Sequence, residues 1–327
     1  MKALGGSSIT NAPSSGSVLP ETENLDVMDK AKTATSPIPT RKPSEGATQI
    51  EIVLRPDTSW LKLELRGIWH YRDLLSLLVW RDFVAKYKQT ILGPIWFIIQ
   101  PLMLTLVFTV IFGKVAGMST DGLPPMLFYL CGQLGWGYFA LNFASNSATL
   151  VTNAPLFSKV YFPRLVVPIS ALISNLFAFL IQVATFFAFF IYFKYFLKSF
   201  SFGLDWRIVL LPLVILHTAV LSLGVGLLMS ALTAKYRDLT HASGLLIQVW
   251  MYASCVIFPL SKFPEKWQWI VALNPMTVIV ESFRLILLGT GTVPAQYLVL
   301  SIVTTVLTLA AGLLLFGKVE KTFVDTV

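Results

Sequence analysis

Charge is scarce in this 327-residue chain: Asp, Glu, Lys and Arg together make up 13%, about half the share of a soluble globular domain. Hydrophobic residues reach 55% and the mean hydropathy is +0.70, so a water-soluble fold is excluded and a membrane protein expected. Cysteine is nearly absent. Cys131 and Cys255 cannot build a disulfide-stapled secreted domain, and both are expected to be free and buried. His70, His217 and His241 lie far apart in sequence, too few and too scattered to complete a zinc site, so no metal is expected. The first thirty residues show no basic-then-apolar leader pattern, which leaves the N-terminus expected in the cytosol.

Catalytic and nucleotide-binding motifs are missing too. Gly113–Lys114 has no upstream Walker A glycine, and the spacing Gly312, Gly317, Lys318 is followed by Val319, where Mg²⁺ binding needs Ser or Thr. HExxH and GxSxG do not occur, and no long apolar stretch carries a carboxylate pair of the kind that proton-coupled carriers use. The chain is therefore expected to hold no cofactor and to hydrolyse no ATP. His217 is the main ionisable group inside an apolar run; it is either functional or bonds a carbonyl freed near a proline.

Basic residues exceed acidic ones, 25 against 17, a net charge of +8 that suits anionic lipid or an anionic substrate. Residues 1–59 are rich in Ser, Thr and Pro and are expected to form a disordered cytosolic tail, with Thr48–Leu54 able to pair as a short strand. Residues 60–90 form a boundary region. Within it Leu77, Trp80, Phe83, Val84 and Tyr87 share one helical face, with Asp82, Lys86 and Gln89 opposite and Arg81 and Lys88 at the edge. Such a helix suits either the headgroup layer of a membrane or the surface of a cytosolic domain.

Residues 91–327 read as an all-α membrane domain. Six stretches are long enough to cross a bilayer: Ile91–Phe112, Pro125–Val151, Leu165–Phe193, Trp206–Ala234, His241–Leu260 and Tyr297–Gly317. Basic residues in the flanks favour both termini on the cytosolic side, and Trp60, Trp69, Trp80, Trp206, Trp267 and Trp269 fall near segment ends. Between Leu260 and Tyr297 two short apolar runs break at Asn274–Pro275, and Glu281 and Arg284 stand at i, i+3, where they can pair. These runs fit a re-entrant helical hairpin between the fifth and sixth spans, or an amphipathic surface hairpin. Aromatic residues are dense in the spans. Trp96, Phe97, Trp136, Tyr138, Phe139, Trp250, Tyr252 and Phe258 can coat a channel against which sugar rings slide, or simply fill the core and face lipid.

Three runs carry a family resemblance: YRDLLSLLVWRDFVAKYKQTILGPIWFIIQP (Tyr71–Pro101), LFSKVYFPRLVVPIS (Leu156–Ser170) and LNPMTVIVESFRLILLG (Leu273–Gly289). Over residues 60–327 the chain resembles the permease subunit of type-2 ABC exporters, in the branch that exports polysaccharides and polyol phosphates. The resemblance implies a homodimer of six-span subunits in the bacterial inner membrane. It would sit on two copies of a separate ATPase that holds ATP and Mg²⁺, and it would export a lipid-linked glycan such as O-antigen. It implies an entry helix over Leu74–Gln89 and an ATPase-docking loop over Thr152–Arg164. In that frame Arg81, Lys86, Lys88 and Arg164 meet headgroups or the substrate's pyrophosphate. Asn153, Pro155, Leu156, Phe157 and Lys159 make the coupling contact, and Asn274, Pro275, Glu281 and Arg284 form an outer gate. The run Cys131–Phe139 (CGQLGWGYF) departs from the Leu- and Pro-containing run of the family. An exporter of a small drug or lipid, and a membrane enzyme acting on lipid-linked sugars, stay open as alternatives.

Overall fold

The computed structural model describes residues 69–88, 93–157, 159–160, 162–197 and 205–323; the expectations for residues 1–59 fall outside them. Among the described residues every regular element is helical. α1 is Arg72–Tyr87, α2 Trp96–Phe108, α3 Pro125–Ser147, α4 Thr149–Thr152, α5 Ala154–Phe157 and α6 Val166–Ile191. They are followed by α7 Leu211–Lys235, α8 Leu239–Tyr252, α9 Glu265–Ala272, α10 Pro275–Leu288 and α11 Ala295–Phe323. π-Helical turns Thr109–Val115 and Tyr192–Phe196 extend α2 and α6, and a 3₁₀ turn, Trp206–Leu210, leads into α7.

Four stretches are long and apolar enough to cross a bilayer: Gly93–Val115, Val166–Phe196, Trp206–Lys235 and Ala295–Glu320. They coincide with the first, third, fourth and sixth expected crossings. A fifth arises if α9 and α10, bent by 105° at Leu273–Asn274, count as one broken span. The other two expected crossings fall short for different reasons. α3 has 23 residues but includes Gln133, Asn142 and Asn146, while α8 ends at Tyr252 after 14.

α3 is the central helix, touching α2, α6, α7, α8 and α10. Its glycines allow this crowding. A Cβ on Gly135 would lie 2.7 Å from the Phe283 ring, and one on Gly132 would lie 3.0 Å from both the Arg284 guanidinium and the Val256 carbonyl. The CGQLGWGYF run thus provides seats for α10 and the segment before it. α7 and α11 make the most extensive helix pair. At their crossing a Cβ on Gly312 would lie 2.5 Å from the Gly224 carbonyl oxygen, the small-residue contact that lets helices close together where lipid supplies no hydrophobic drive. The Walker-like glycine spacing near Lys318 therefore has a packing origin at Gly312.

α1 packs along α6. Its inward face is Tyr71, Leu74, Leu75 and Leu78, set against Phe162, Val166 and Val167, and Phe83 meets Phe177 with ring centroids 5.3 Å apart. Of the aromatic face read from the sequence, Leu77 and Trp80 point outward, 63% and 65% exposed. Arg164 meets Glu320 near the end of α11, so α1, the connection from α3 to α6 and the end of α11 gather at one end of the bundle. At the other end Ser261 donates to the Asp121 carboxylate, which ties the α2–α3 connection to the start of the α9–α10 pair. Cys131 and Cys255 are both free and buried, as expected.

Candidate functional site

α10 is bounded as its sequence dictates. Asn274 caps it by accepting from the Met276 N–H at 3.0 Å, Pro275 occupies the first turn, and Gly289 ends it in the left-handed region at φ 70°. Asn274 does more than cap. Its Oδ1 also accepts from the Trp250 indole N–H at 3.0 Å, and its Nδ2 donates to the Ala253 carbonyl and to Ser254 Oγ. One carboxamide thus joins the end of α8 to the bend between α9 and α10.

Two turns further on, Glu281 and Arg284 form the pair that their spacing predicts, with Arg284 Nη1 donating to Glu281 Oε1 at 2.9 Å. Their side chains are each 1% exposed, a depth the spacing alone did not announce. Glu281 Oε1 also accepts from the Leu260 N–H at 3.1 Å, and Oε2 from the Thr292 N–H at 3.2 Å. Arg284 Nη2 donates to the Val256 carbonyl at 2.7 Å, and the guanidinium carbon lies 3.8 Å from the Phe128 ring centroid. The pair therefore fastens four segments: α3, the stretch after α8, α10 itself and the loop into α11. A charge this deep persists only when paired and hydrogen-bonded, and these contacts supply that for every polar atom named, Arg284 Nε alone of the guanidinium being buried without a partner. With three donors on its carboxylate and no open space beside it, Glu281 is built to hold structure and is not presented to a substrate. Val256, Leu260, Thr292 and Phe128 are the residues that sequence reasoning missed here. The only signal for them was the glycine pair in α3, which keeps room for Arg284 and Phe283.

The eight aromatic residues assigned to a channel separate into groups. Trp136, Tyr138 and Phe139 are buried inside the chain: Phe139 lies against Trp250 and Tyr138 against Phe179, with centroids 5.2 and 5.1 Å apart. Their rings face other helices of the same chain and not an open lumen, because α3 is the hub of the packing. Trp250 is half-buried and held by Asn274, and Phe258 meets Phe263 at 5.3 Å. Phe97 is half-buried, whereas Trp96 on α2 and Tyr252 on α8 are each 49% exposed.

At the opposite end, α4 and α5 form a compact turn, with Asn153 Nδ2 donating back to the Thr149 carbonyl at 3.1 Å. Leu156 and Phe157 are half-buried against Leu78, Phe162 and Val166, whereas Pro155 and Lys159 are exposed. The Arg164 guanidinium carbon stands 5.4 Å from the Phe157 centroid, and its Nη1 and Nε reach the carbonyl and carboxylate of Glu320. Arg164 is thus engaged within the chain, locking the loop to α11, and is not turned toward a headgroup.

The basic residues of α1 also differ among themselves. Arg81 pairs with Asp82 at 2.8 Å, and Lys88 is exposed at the helix end. Lys86 instead reaches inward to Asn175 Oδ1 on α6, and Asn175 Nδ2 donates to Asn142 Oδ1 and Ser145 Oγ on α3. Burial pushes the Lys86 ammonium below its usual range, with the Asp82 charge opposing the shift. His217, the lone histidine of the spans, bonds the Thr305 hydroxyl at 2.9 Å and lies 3.4 Å from that of Ser301, so it joins α7 to α11. Among the described residues no three His, Cys, Asp or Glu side chains gather as a metal site would require.

The model of the ABC-2 type transporter family matches residues 73–288, from the start of α1 to the end of α10. The chain belongs to the ABC-2 type transporter family. Among curated proteins it is similar to the O-antigen export system permease protein RfbA of Klebsiella pneumoniae, 25% identical over 253 residues, covering 77% of this chain and 94% of that protein. The protein of the same name from Myxococcus xanthus is 26% identical over 267 residues, 80% of this chain and 98% of that one. The polysialic acid transport protein KpsM of Escherichia coli is 24% identical over 208 residues, 62% and 77% of the two chains. As an ABC-2 type transporter the chain is a multi-pass membrane transport subunit, and the matched region contains the buried Glu281–Arg284 staple, the α4–α5 turn and the Lys86 contact.

Proposed function

We propose that this chain is the permease of an ATP-driven exporter that moves a lipid-linked polysaccharide, of the O-antigen class, outward across the bacterial inner membrane. Two copies assemble with two copies of a separate ABC ATPase, which supplies ATP and Mg²⁺ chemistry, and both termini lie in the cytosol. The observation that carries this reading is the match to O-antigen export permeases over 94% and 98% of their length and 77% and 80% of this chain.

In this reading each chain crosses six times. α3 crosses as the central helix, with Asn142 and Ser145 bonded to Asn175 of α6 and its remaining polar side chains enclosed by neighbouring helices, and α8 crosses together with the stretch up to Leu260. α9 and α10 dip into the outer leaflet and return, and the Glu281–Arg284 staple keeps them rigid as the outer gate. The glycan path lies between the two copies, lined by the exposed rings of Trp96 and Tyr252 rather than by the aromatics packed inside α3. α1 lies at the cytosolic interface with Trp80 toward lipid, and Arg81 and Lys88 receive the anionic headgroup or substrate pyrophosphate. The exposed Pro155 and Lys159 dock on the ATPase, while Phe157 and Arg164 transmit its motion to α6 and α11. An enzymatic reading is disfavoured because Glu281, the carboxylate nearest to the role of an acid or base, is enclosed and already accepts from three donors.

Complementation tests the assignment. Expressed with its ATPase in a strain lacking its own O-antigen permease, the chain restores surface polysaccharide, and Lys159→Glu abolishes both restoration and ATPase co-purification. Lipid-linked glycan that stays in the cytosolic leaflet with both proteins expressed contradicts it.

A further inference from the structure

A groove of about 520 Å³ opens between α7, α10 and α11; neither Glu281 nor Arg284 lines it, and it touches no residue of the α4–α5 turn. Its walls are almost wholly aliphatic, with Leu213 and Leu216 of α7, Leu285 of α10 and Ile302 and Val306 of α11 among them. The α7 and α11 stretches are both long and apolar enough to span a bilayer, and Leu213, Leu216 and Val306 are exposed, so the medium beside the groove is hydrocarbon. From Leu210, at the end of the 3₁₀ turn, to Val220 of α7 the lining runs ten helical steps, about 15 Å, half the roughly 30 Å hydrocarbon core and hence the depth of one leaflet.

The two ends differ in chemistry. At one, Arg207 lines the groove and its neighbour Trp206 is 70% exposed, the basic and aromatic pairing that marks headgroup level. Asp205 shares Arg207 at 3.4 Å through one nitrogen, which leaves other guanidinium donors free to turn toward a phosphate. Deeper in, His217 Nε2 and the Thr305 hydroxyl bond each other, and the rest of the lining there is mainly aliphatic. An elongated apolar chain with an anionic group at one end fits this arrangement.

We propose that the groove is a binding site for an anionic phospholipid, with one acyl chain lying between α7 and α11 against Leu285 and the phosphate on Arg207. A lipid seated there packs against the face of α10 formed by Ser282, Leu285 and Ile286, beside the staple, so its presence stiffens the bent pair. The inference needs only that these helices cross a bilayer, and it stands or falls independently of the export reading.

Native mass spectrometry of the purified full-length protein tests it, using phosphatidylglycerol and phosphatidylcholine titrated in detergent. The wild-type chain retains phosphatidylglycerol in preference to phosphatidylcholine, and Arg207→Ala reduces that preference about fivefold, the effect of one basic residue at an anionic headgroup. Leu285→Trp fills the groove from α10 and removes adducts of both lipids. Val306→Trp fills it from an exposed position on α11 and does the same, so the test survives if the first variant fails to fold. Undiminished adducts in the groove-filling variants overturn the proposal. So does dissociation of an assembled dimer by Val306→Trp, because a second copy of the chain would then be the occupant.

Discussion

α2 and α10 invert the rule that holds in water. α2 bears no charged residue and is strongly apolar, yet only Thr105 and Phe108 are buried within the chain. α10 carries a carboxylate and a guanidinium, yet nearly every one of its side chains is buried. In a bilayer the medium is as apolar as leucine, so apolarity no longer drives a helix inward; close packing and satisfied polar groups do. The interior of this chain is therefore organised by glycines, asparagines and one ion pair, while its most hydrophobic surfaces face outward.

Breaking the staple produces the largest effect. Arg284→Ala or Glu281→Gln leaves a buried charge without its partner and lowers stability in detergent by about 3–5 kcal/mol. Leu106→Ala on the outer face of α2, where Leu106 is 48% exposed, changes it by about 0.5 kcal/mol. Thermal unfolding followed by tryptophan fluorescence separates the two, and equal melting temperatures for Arg284→Ala and Leu106→Ala erase the contrast.

Glycines sharpen it. Gly135→Ala pushes a methyl into the Phe283 ring and costs about 1–3 kcal/mol by overpacking. Gly244→Ala on α8, where nothing lies within 4 Å of the added carbon, gains up to about 1 kcal/mol of helix propensity. A common sign for both substitutions in the same unfolding assay would show that α3 is not the packing hub.

At the opposite end, Phe157→Ala removes the ring between Phe162 and Arg164, and pull-down is expected to show weaker ATPase association with the chain still folded. The smallest effect concerns Lys86. Because burial lowers its pKa from 10.5, the folded chain releases this proton at lower pH than the unfolded one. Stability therefore rises with pH from the lowered value up to 10.5, where the unfolded state holds the extra proton. Melting temperatures across that range should climb more for wild type than for Lys86→Met, and parallel curves would place Lys86 in water.

Much of this was legible in the residues. Asn274–Pro275 and Gly289 delimit α10 because capping, a proline first turn and a left-handed stop are local chemistry, and Glu281–Arg284 pair because three residues apart share a helix face. What sequence periodicity could not supply was depth. It left Trp136, Tyr138 and Phe139 open between channel lining and core, because aromatic residues look alike whether they face a lumen or a neighbouring helix, and α3 buries all three within the chain. It gave Arg164 and Lys86 to headgroups, although Glu320 and Asn175, the groups that hold them, lie 156 and 89 residues away. The departure at Cys131–Phe139 was visible as the lack of a Leu- and Pro-containing run, but the part its glycines play required Phe283 and Arg284 to be placed against them.

Transport itself gives the most direct test. With the purified chain and its ATPase in vesicles loaded with fluorescent lipid-linked O-antigen on one leaflet, added ATP should move the label to the other leaflet, chemically unchanged. Without the ATPase, or with the Arg284→Ala chain, the label should stay in place. Movement that needs no ATPase, or a label that returns with its glycan linkage altered, would contradict the account.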